Sequence, residues 1–291
     1  MQRREIRAMG TTVEMLVDVP AGASVEIAFD EACAEIERLE GRFSRFREDS
    51  ELSALNRRGR LRASDDMLAV VALAVEARAL TGGRFDPTVH DAVVAAGYDR
   101  SFDAVPPDAP EPAAPPARCG GGVAIYDALG EITLDPGVHL DLGGIAKGYV
   151  VDRVAERLAA AGPCLVNAGG DIRIAGPFRR GPWPVGVETP GEEVVIGLRE
   201  GAVATSGRDR RQWRRGGLEQ HHLIDPGQGR PAEGDLRTVT VVAGDACQAE
   251  VLAKSFFLRG ERGAAREAEA LGIPCVLVTD DDRVVLAGGL A

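Results

Sequence analysis

No stretch of the 291-residue sequence approaches the run of roughly 20 apolar residues that a membrane-spanning helix requires, so no membrane anchor is expected. Residues 1–7 carry basic side chains, but no apolar h-region follows them. That argues against a secretory leader or lipoprotein anchor and makes the cytoplasm the expected location. A CxxC pair is also missing. The five cysteines, Cys33, Cys119, Cys164, Cys247 and Cys275, are odd in number and far apart, a pattern of reduced thiols rather than of zinc or redox chemistry. Positive charge is in deficit, with 34 Lys plus Arg against 45 Asp plus Glu and a formal net charge of -11. Such a chain has no general electrostatic grip on nucleic acid or an anionic membrane, and any anionic ligand must be held by local groups. The arginines Arg208, Arg210, Arg211, Arg214 and Arg215 have no interleaved aromatics and read as a solvated face. There is no internal repeat.

What is present suffices for a folded core, since 45% of the residues are apolar. Residues 6–19 alternate as a strand or hairpin, and 25–39 carry apolar side chains at helical spacing. The stretch 43–57 is polar and broken. Residues 65–80 form a predicted helix with Ser64 as N-cap and Gly82 and Gly83 as stop signals, followed by a loop over 81–89. The Pro- and Ala-rich segment 104–118 cannot sustain helix or sheet pairing and reads as a surface connection. It suggests a single domain, 1–291, with lobes at 1–103 and 119–291. Short strands are predicted at 123–126, 132–134, 138–140, 164–166, 172–174, 194–198, 238–242, 275–278 and 284–286, with helices at 145–161, 246–258 and 262–271. Strand runs broken by unevenly placed helices make this an α+β chain.

The strongest local signal is Asp141-Leu142-Gly143-Gly144-Ile145-Ala146-Lys147-Gly148, between a predicted strand and a helix. Glycines admit a ligand close to the backbone, a helix N-terminus presents N–H groups to phosphate, and Lys147 adds a compact positive charge. This suits a diphosphate cradle; it equally suits a glycine turn with a lysine on the helix surface. Neither GxxxxGK[ST] nor GxGxxG is present, so Walker and standard Rossmann readings lose support. A second corner, Asn167-Ala168-Gly169-Gly170-Asp171, places Asp171 as a turn residue bonded to its own backbone. Ala204-Thr205-Ser206-Gly207 reads as a third small-residue turn. His221 and His222 precede Leu223-Ile224-Asp225-Pro226, and a histidine beside a glycine-rich site can take a proton near neutral pH. In a strand only one of the two faces inward, which also argues against shared metal ligation.

Taken in order, Met9-Gly10-Thr11, Phe43-Ser44-Arg45-Phe46 with Asp49-Ser50-Glu51-Leu52 and Leu55-Asn56, Gly83-Arg84-Phe85-Asp86-Pro87-Thr88, the 141–148 motif, 167–171, Thr205-Ser206-Gly207 and His222-Leu223-Ile224-Asp225-Pro226 resemble the ApbE family, the FAD:protein FMN transferases, from near Met9 to the C-terminus. The resemblance implies an ApbE-like two-lobed fold of mixed sheets with helices, with the site in the cleft between lobes. It implies that FMN is moved from FAD to a Ser or Thr of a flavin-acceptor protein, that AMP is released, and that Mg2+ assists. It further implies that Met9, Phe46, Arg84, Phe85, Asp86, Asp141, Lys147 and Ile224 line the FAD site. His222 matches the proton acceptor for the incoming hydroxyl, and His221 is expected to face away and be dispensable. Gly144 matches a metal-ligand position through its carbonyl.

The family's two remaining metal positions, an Asp and a Thr one helical turn apart, align with Glu250 and Lys254. Glutamate can bind a hard cation, but an ammonium is no metal ligand, and Lys254 is placed to pair with Glu250 instead. Three readings follow: a transferase with an altered metal helix, a flavin-binding protein or FAD pyrophosphatase that has lost protein transfer, and an interaction module with a vestigial pocket.

Overall fold

The computed structural model describes residues 1–20, 23–111, 113–191 and 193–290. Its helices are α1 (Glu26–Phe43), α2 (Glu51–Arg58), α3 (Asp65–Leu80), α4 (His90–Ala95), α5 (Ala146–Leu158), α6 (Ala246–Arg259) and α7 (Glu261–Leu271). The chain divides into two compact units, each assembled from separated stretches. The first comprises Met1–Glu40, Ile145–Ser206 and Asp235–Ala291; the second comprises Gly41–Gly144 and Gly207–Gly234.

The first unit is organised on an eight-stranded sheet. In spatial order its strands are Gln2–Ala8, Thr11–Val17, Cys164–Ala168, Asp171–Ala175, Gly201–Gly207, Leu236–Ala243, Cys275–Thr279 and Val284–Ala287. The first hairpin turns on Met9 and Gly10, both at positive φ (52° and 67°), the primed-turn pattern whose twist matches that of paired strands. Glycine takes that conformation without strain; Met9 does not. Val13 pairs with Ala168, and Ala168 with Asp171. The 9–10 turn and the glycine corner at 169–170 therefore share one end of the sheet. Within the sheet, Met15, Val166, Val239 and Leu277 are fully enclosed, and so is Ile174, on the opposite face from Val166 with Leu165 and Trp183.

The second unit contains two three-stranded sheets. One orders Arg60–Arg62, Glu131–Leu134 and Val123–Tyr126; the other orders Leu218–His221, Gln212–Arg215 and Asp108–Ala109. Ala92, Val93, Ala96, Tyr98, Val105, Trp213 and Ile224 form one of its buried clusters. The Pro- and Ala-rich segment 104–118 lies within this unit, and its residue 112 is outside the described residues.

The α+β class holds, with mixed helices and sheets throughout. Helix α3 has the predicted bounds, with Ser64 Oγ accepting from the Met67 N–H at 3.4 Å. Four expectations need correction. Residues 51–58 are helical rather than broken: Ser50 caps the Ser53 N–H at 3.0 Å, Leu52 and Leu55 are buried, and Gly59 closes the helix at φ 68°. Residues 201–207 form a strand, so 204–207 is its end and not a turn; Ala202, Val203 and Ala204 are enclosed. Within 104–118, Asp108–Ala109 pairs in parallel with Arg214 and Arg215, because neither paired residue is a proline. Residues 138–140 form no ladder. Instead the Asn56 side chain supplies both bonds a neighbouring strand would make, accepting from the Leu140 N–H at 2.8 Å and donating to its carbonyl at 2.9 Å.

Leu140 is fully buried, so losing Asn56 strands a backbone donor and an acceptor together. Asn56→Ala should lower the unfolding free energy by about 2–4 kcal/mol, read as a lower urea midpoint at unchanged slope. A midpoint matching the native protein would show that water replaces the amide without cost.

Candidate functional site

In the first unit the structure gathers four of the charged groups that the sequence singled out. Helix α5 begins at Ala146, so Lys147 and Gly148 occupy its first turn, and its N-cap residue Ile145 makes no side-chain cap bond. Gly148 lies against α6: a Cβ there would meet the Ala246 carbonyl oxygen at 2.6 Å and the Cys247 Cα at 2.7 Å. Because the helices approach this closely, each completes the other's first turn. Glu250 Oε2 on α6 accepts from the Gly148 N–H at 2.9 Å. Asp152 on α5 accepts from the Ala246 and Cys247 N–H groups at 2.8 and 2.9 Å. Carboxylates at two helix N-termini satisfy orphan donors and meet the positive end of each helix dipole. Burial nevertheless pushes the Asp152 carboxyl up to about 6, against the effect of these two donors.

Lys147 Nζ sits between carboxylates, bonded to Asp171 and to Glu250 Oε1, the latter at 2.8 Å. Lys254 Nζ reaches the same Glu250 oxygen at 3.3 Å, across one turn of α6. Asp171 and Glu250 are 3% and 1% exposed at their side chains. Two cations and two carboxylates thus form a neutral buried quartet. Burial would raise Glu250, but Lys147 and Lys254 outweigh it and hold the carboxyl below its ordinary range. Asp171 moves up, driven first by burial and opposed by Lys147. Its place in the quartet corrects the turn reading. Asp171 is the first residue of a strand, and it is Asn167 Oδ1 that accepts from Gly170 N at 2.9 Å and holds the corner.

In the second unit Asp141 is fixed from three sides. Its backbone N–H donates to the Pro87 carbonyl at 2.8 Å, its Oδ1 accepts from the Gly143 N–H at 2.6 Å, and its Oδ2 pairs with Arg45 Nε at 2.9 Å. The guanidinium of Arg45 packs over two adjacent aromatic rings, 4.2 Å from the Phe46 centroid and 4.5 Å from that of Tyr98, the rings themselves being 5.6 Å apart and inclined by 48°. Its side chain is 8% exposed, and Nη2 is buried with no hydrogen-bond partner among the described residues. Phe46 is 41% exposed and so presents one ring face outward. Tyr98 packs in the same cluster as Ile224, which links the 43–46 and 222–226 motifs.

Phe85 and Asp86 are buried and Arg84 is half-buried. Asp86 pairs with Arg78 Nε at 3.1 Å and accepts from both the backbone and hydroxyl of Thr88 at 2.8 and 2.7 Å. Gly144 is half-buried in the turn before α5. The strand Leu218–His221 ends before His222, which is half-buried in a bend. His221 is the enclosed member of the pair, contrary to the expectation that it faces away. Its Nε2 donates to the Ala232 carbonyl at 3.0 Å and its Nδ1 accepts from the Leu223 N–H at 3.3 Å. Those partners require the neutral ring, and burial lowers its pKa in the same sense.

The sequence profile of the ApbE family matches residues 9–277. The chain belongs to the ApbE family. It is 32% identical to the FAD:protein FMN transferase of Haemophilus influenzae, over 95% of this chain and 86% of that one. It is also 32% identical to the FAD:protein FMN transferase of Vibrio cholerae, over 94% and 86%. Among solved structures, the ApbE protein of Thermotoga maritima superposes with a TM-score of 0.85 at 28% identity, covering 98% of this chain and 97% of that one. The flavin transferase ApbE of Vibrio cholerae gives 0.80 at 28%, covering 98% and 96%.

Against that family the α6 pair is tested by its own contacts. Both Glu250 oxygens are engaged, by two ammonium groups and a backbone N–H. A hard divalent cation needs open oxygen ligands, and the Glu250–Lys254 pair supplies none, so these residues do not fit magnesium. Sequence reasoning missed two groups of the ApbE chain. Arg45 and Tyr98 organise Asp141 and Phe46, and only Arg45's place inside the 43–46 motif hinted at it.

Lys147→Ala leaves Asp171 and Glu250 facing each other with one cation fewer. It should cost about 3–5 kcal/mol of folding stability, well above the cost of Lys254→Ala, whose contact with Glu250 is longer. Equal costs in chemical denaturation would refute the central place of Lys147. His221 gives a pH signature. The unfolded ring binds a proton near about 6.5, while the folded ring resists it, so stability is full above that value and falls as pH drops through the lowered folded pKa. His221→Gln should flatten the slope of melting temperature between pH 7 and 5; an unchanged slope would place the titration elsewhere.

Proposed function

We propose that this chain is an FAD:protein FMN transferase that moves FMN from FAD to a Ser or Thr hydroxyl of an acceptor protein and releases AMP. The observation that carries the reading is the family match across 9–277, together with relatives of that name about one third identical over nearly the whole chain. In the step, the acceptor oxygen forms a bond to the FMN phosphorus, and the bond from that phosphorus to the bridging oxygen breaks. The hydroxyl proton passes to the base, and AMP departs with the bridging oxygen.

His222 is the base in this reading. Its neighbour His221 is excluded by geometry, since both ring nitrogens are already engaged. Phe46 offers the flavin or adenine an exposed ring face, backed by Arg45. Arg45 Nη2 supplies a donor for an anionic oxygen. Met9, Arg84, Phe85, Asp86, Asp141, Lys147 and Ile224 complete the FAD-binding set. Lys147 acts there through the quartet, holding the start of α5 in place. Lys254 takes the position of a ligand in the family's metal site, and no step of the transfer is assigned to magnesium at Glu250. The partners are FAD as donor and a flavin-acceptor protein, in the cytoplasm; among the described residues no helix is long and apolar enough to cross a membrane.

The occupied α6 pair favours one competing reading, an FAD pyrophosphatase or flavin-binding protein that no longer modifies a protein. Incubating the chain with FAD, with and without an acceptor protein, and following AMP and acceptor flavin fluorescence separates the two. AMP formed in proportion to labelled acceptor is expected, with a rate little changed by chelating magnesium. His222→Ala should slow transfer on the order of a hundredfold with FAD affinity nearly unchanged. AMP release without labelling, at the same rate in both proteins, would establish the hydrolytic reading.

A further inference from the structure

The second unit holds two of the chain's four histidines in one place. His90 opens α4, Asp91 follows it, and His139 precedes the buried Leu140. Asp91 Oδ1 stands 3.0 Å from His90 Nδ1 and 2.9 Å from His139 Nδ1, and Oδ2 is 3.0 Å from the latter. One ligand atom from each residue lies within 4.8 Å of the other two. The rings are 5.7 Å apart and inclined by 56°. None of the three belongs to the motifs that carry the family resemblance.

We propose that His90, Asp91 and His139 bind one divalent ion of the late first transition row, of the zinc class. Two imidazoles and one carboxylate suit that class; magnesium and calcium prefer all-oxygen sites. In a tetrahedral zinc site the metal–nitrogen distance of about 2.0–2.1 Å puts neighbouring ligand atoms about 3.3 Å apart. The Asp91 contacts need open by only a few tenths of an ångström, and the two imidazole ligand atoms, within 4.8 Å of each other, must reach the same spacing. On binding, each Nδ1 presents its lone pair to the ion and carries its proton on Nε2 instead, a tautomer change that leaves a neutral ring neutral. His139 is pre-positioned because both backbone groups of the next residue are held by Asn56. Side-chain exposures of 23%, 41% and 37% for His90, Asp91 and His139 leave the site open to ion entry and to water as a further ligand. A bound ion would tie the start of α4 to the segment leading into Asp141.

The test is titration of zinc into the purified, metal-stripped full chain with a large excess of magnesium present, followed by calorimetry. One zinc per chain is expected, together with a rise in melting temperature. His90→Gln, Asp91→Asn and His139→Gln should each weaken binding by roughly tenfold or more, while His222→Gln keeps it. The melting temperatures of the metal-free variants show whether they fold. X-ray absorption on the zinc-loaded native chain gives an independent readout, with two imidazoles and no sulfur in the coordination shell. Absence of stoichiometric zinc binding would leave the three residues as a hydrogen-bonded triad only and overturn the proposal. Full-affinity binding to His139→Gln, or sulfur ligation, would overturn it equally.

Discussion

The first turns of α5 and α6 meet at Gly148, where no side chain fits between them. From that contact follow the two cross-helix caps, Glu250 on one helix and Asp152 on the other. Once Glu250 is drawn into the interface it is a buried carboxylate, and a buried carboxylate must be compensated. Lys147 and Lys254 do so from the two helices, and Asp171 balances the second cation from the adjoining strand. A chain that carries Lys254 on α6 therefore needs no metal ion to neutralise this junction. The polar network and the close helix packing are one arrangement seen from two sides.

The second unit solves a similar problem with a guanidinium. Arg45 packs over both Phe46 and Tyr98 and directs its Nε at Asp141. The planar, weakly hydrated cation suits this slot, where a lysine would lose the stacking. Asn56 fixes the adjacent Leu140 backbone. Together they turn residues 138–144, which have no ladder of their own, into a defined segment.

Elements whose signals are local were legible in the sequence. Helix α3 announces itself through Ser64, a continuous apolar stretch and two glycines, and the antiparallel strands at 164–168 and 275–279 through short apolar runs. Helix α2 was not, since two buried leucines in eight residues carry too little periodicity and its caps matter more than its pattern. The strand 201–207 is composed of Gly, Ala, Val, Thr and Ser, small side chains whose burial hydropathy does not register. At the site, the sequence singled out Lys147, Glu250 and Lys254 separately, the structure brings them into contact, and the i,i+4 contact of the last two followed from helical spacing. The bonds of Glu250 to Lys147 and Gly148 join residues about a hundred positions apart, beyond any local pattern. His221 and His222 were read by strand alternation, and the bend after His221 ends that alternation one residue early.

The division of the first unit into three separated stretches has a consequence for biosynthesis. The hairpin of Gln2–Ala8 and Thr11–Val17 finds its next partner only at Cys164–Ala168, so at ordinary elongation rates it waits on the order of ten seconds. During that interval its open edge exposes unpaired backbone groups, a template for association with other nascent chains. The charges along the first strand, Arg3, Arg4, Glu5 and Arg7, guard one side of the ribbon. The side that awaits 164–168 carries Met15, Leu16 and Val17 with only Glu14 among them, so a chaperone acting on the growing chain would find its natural target there.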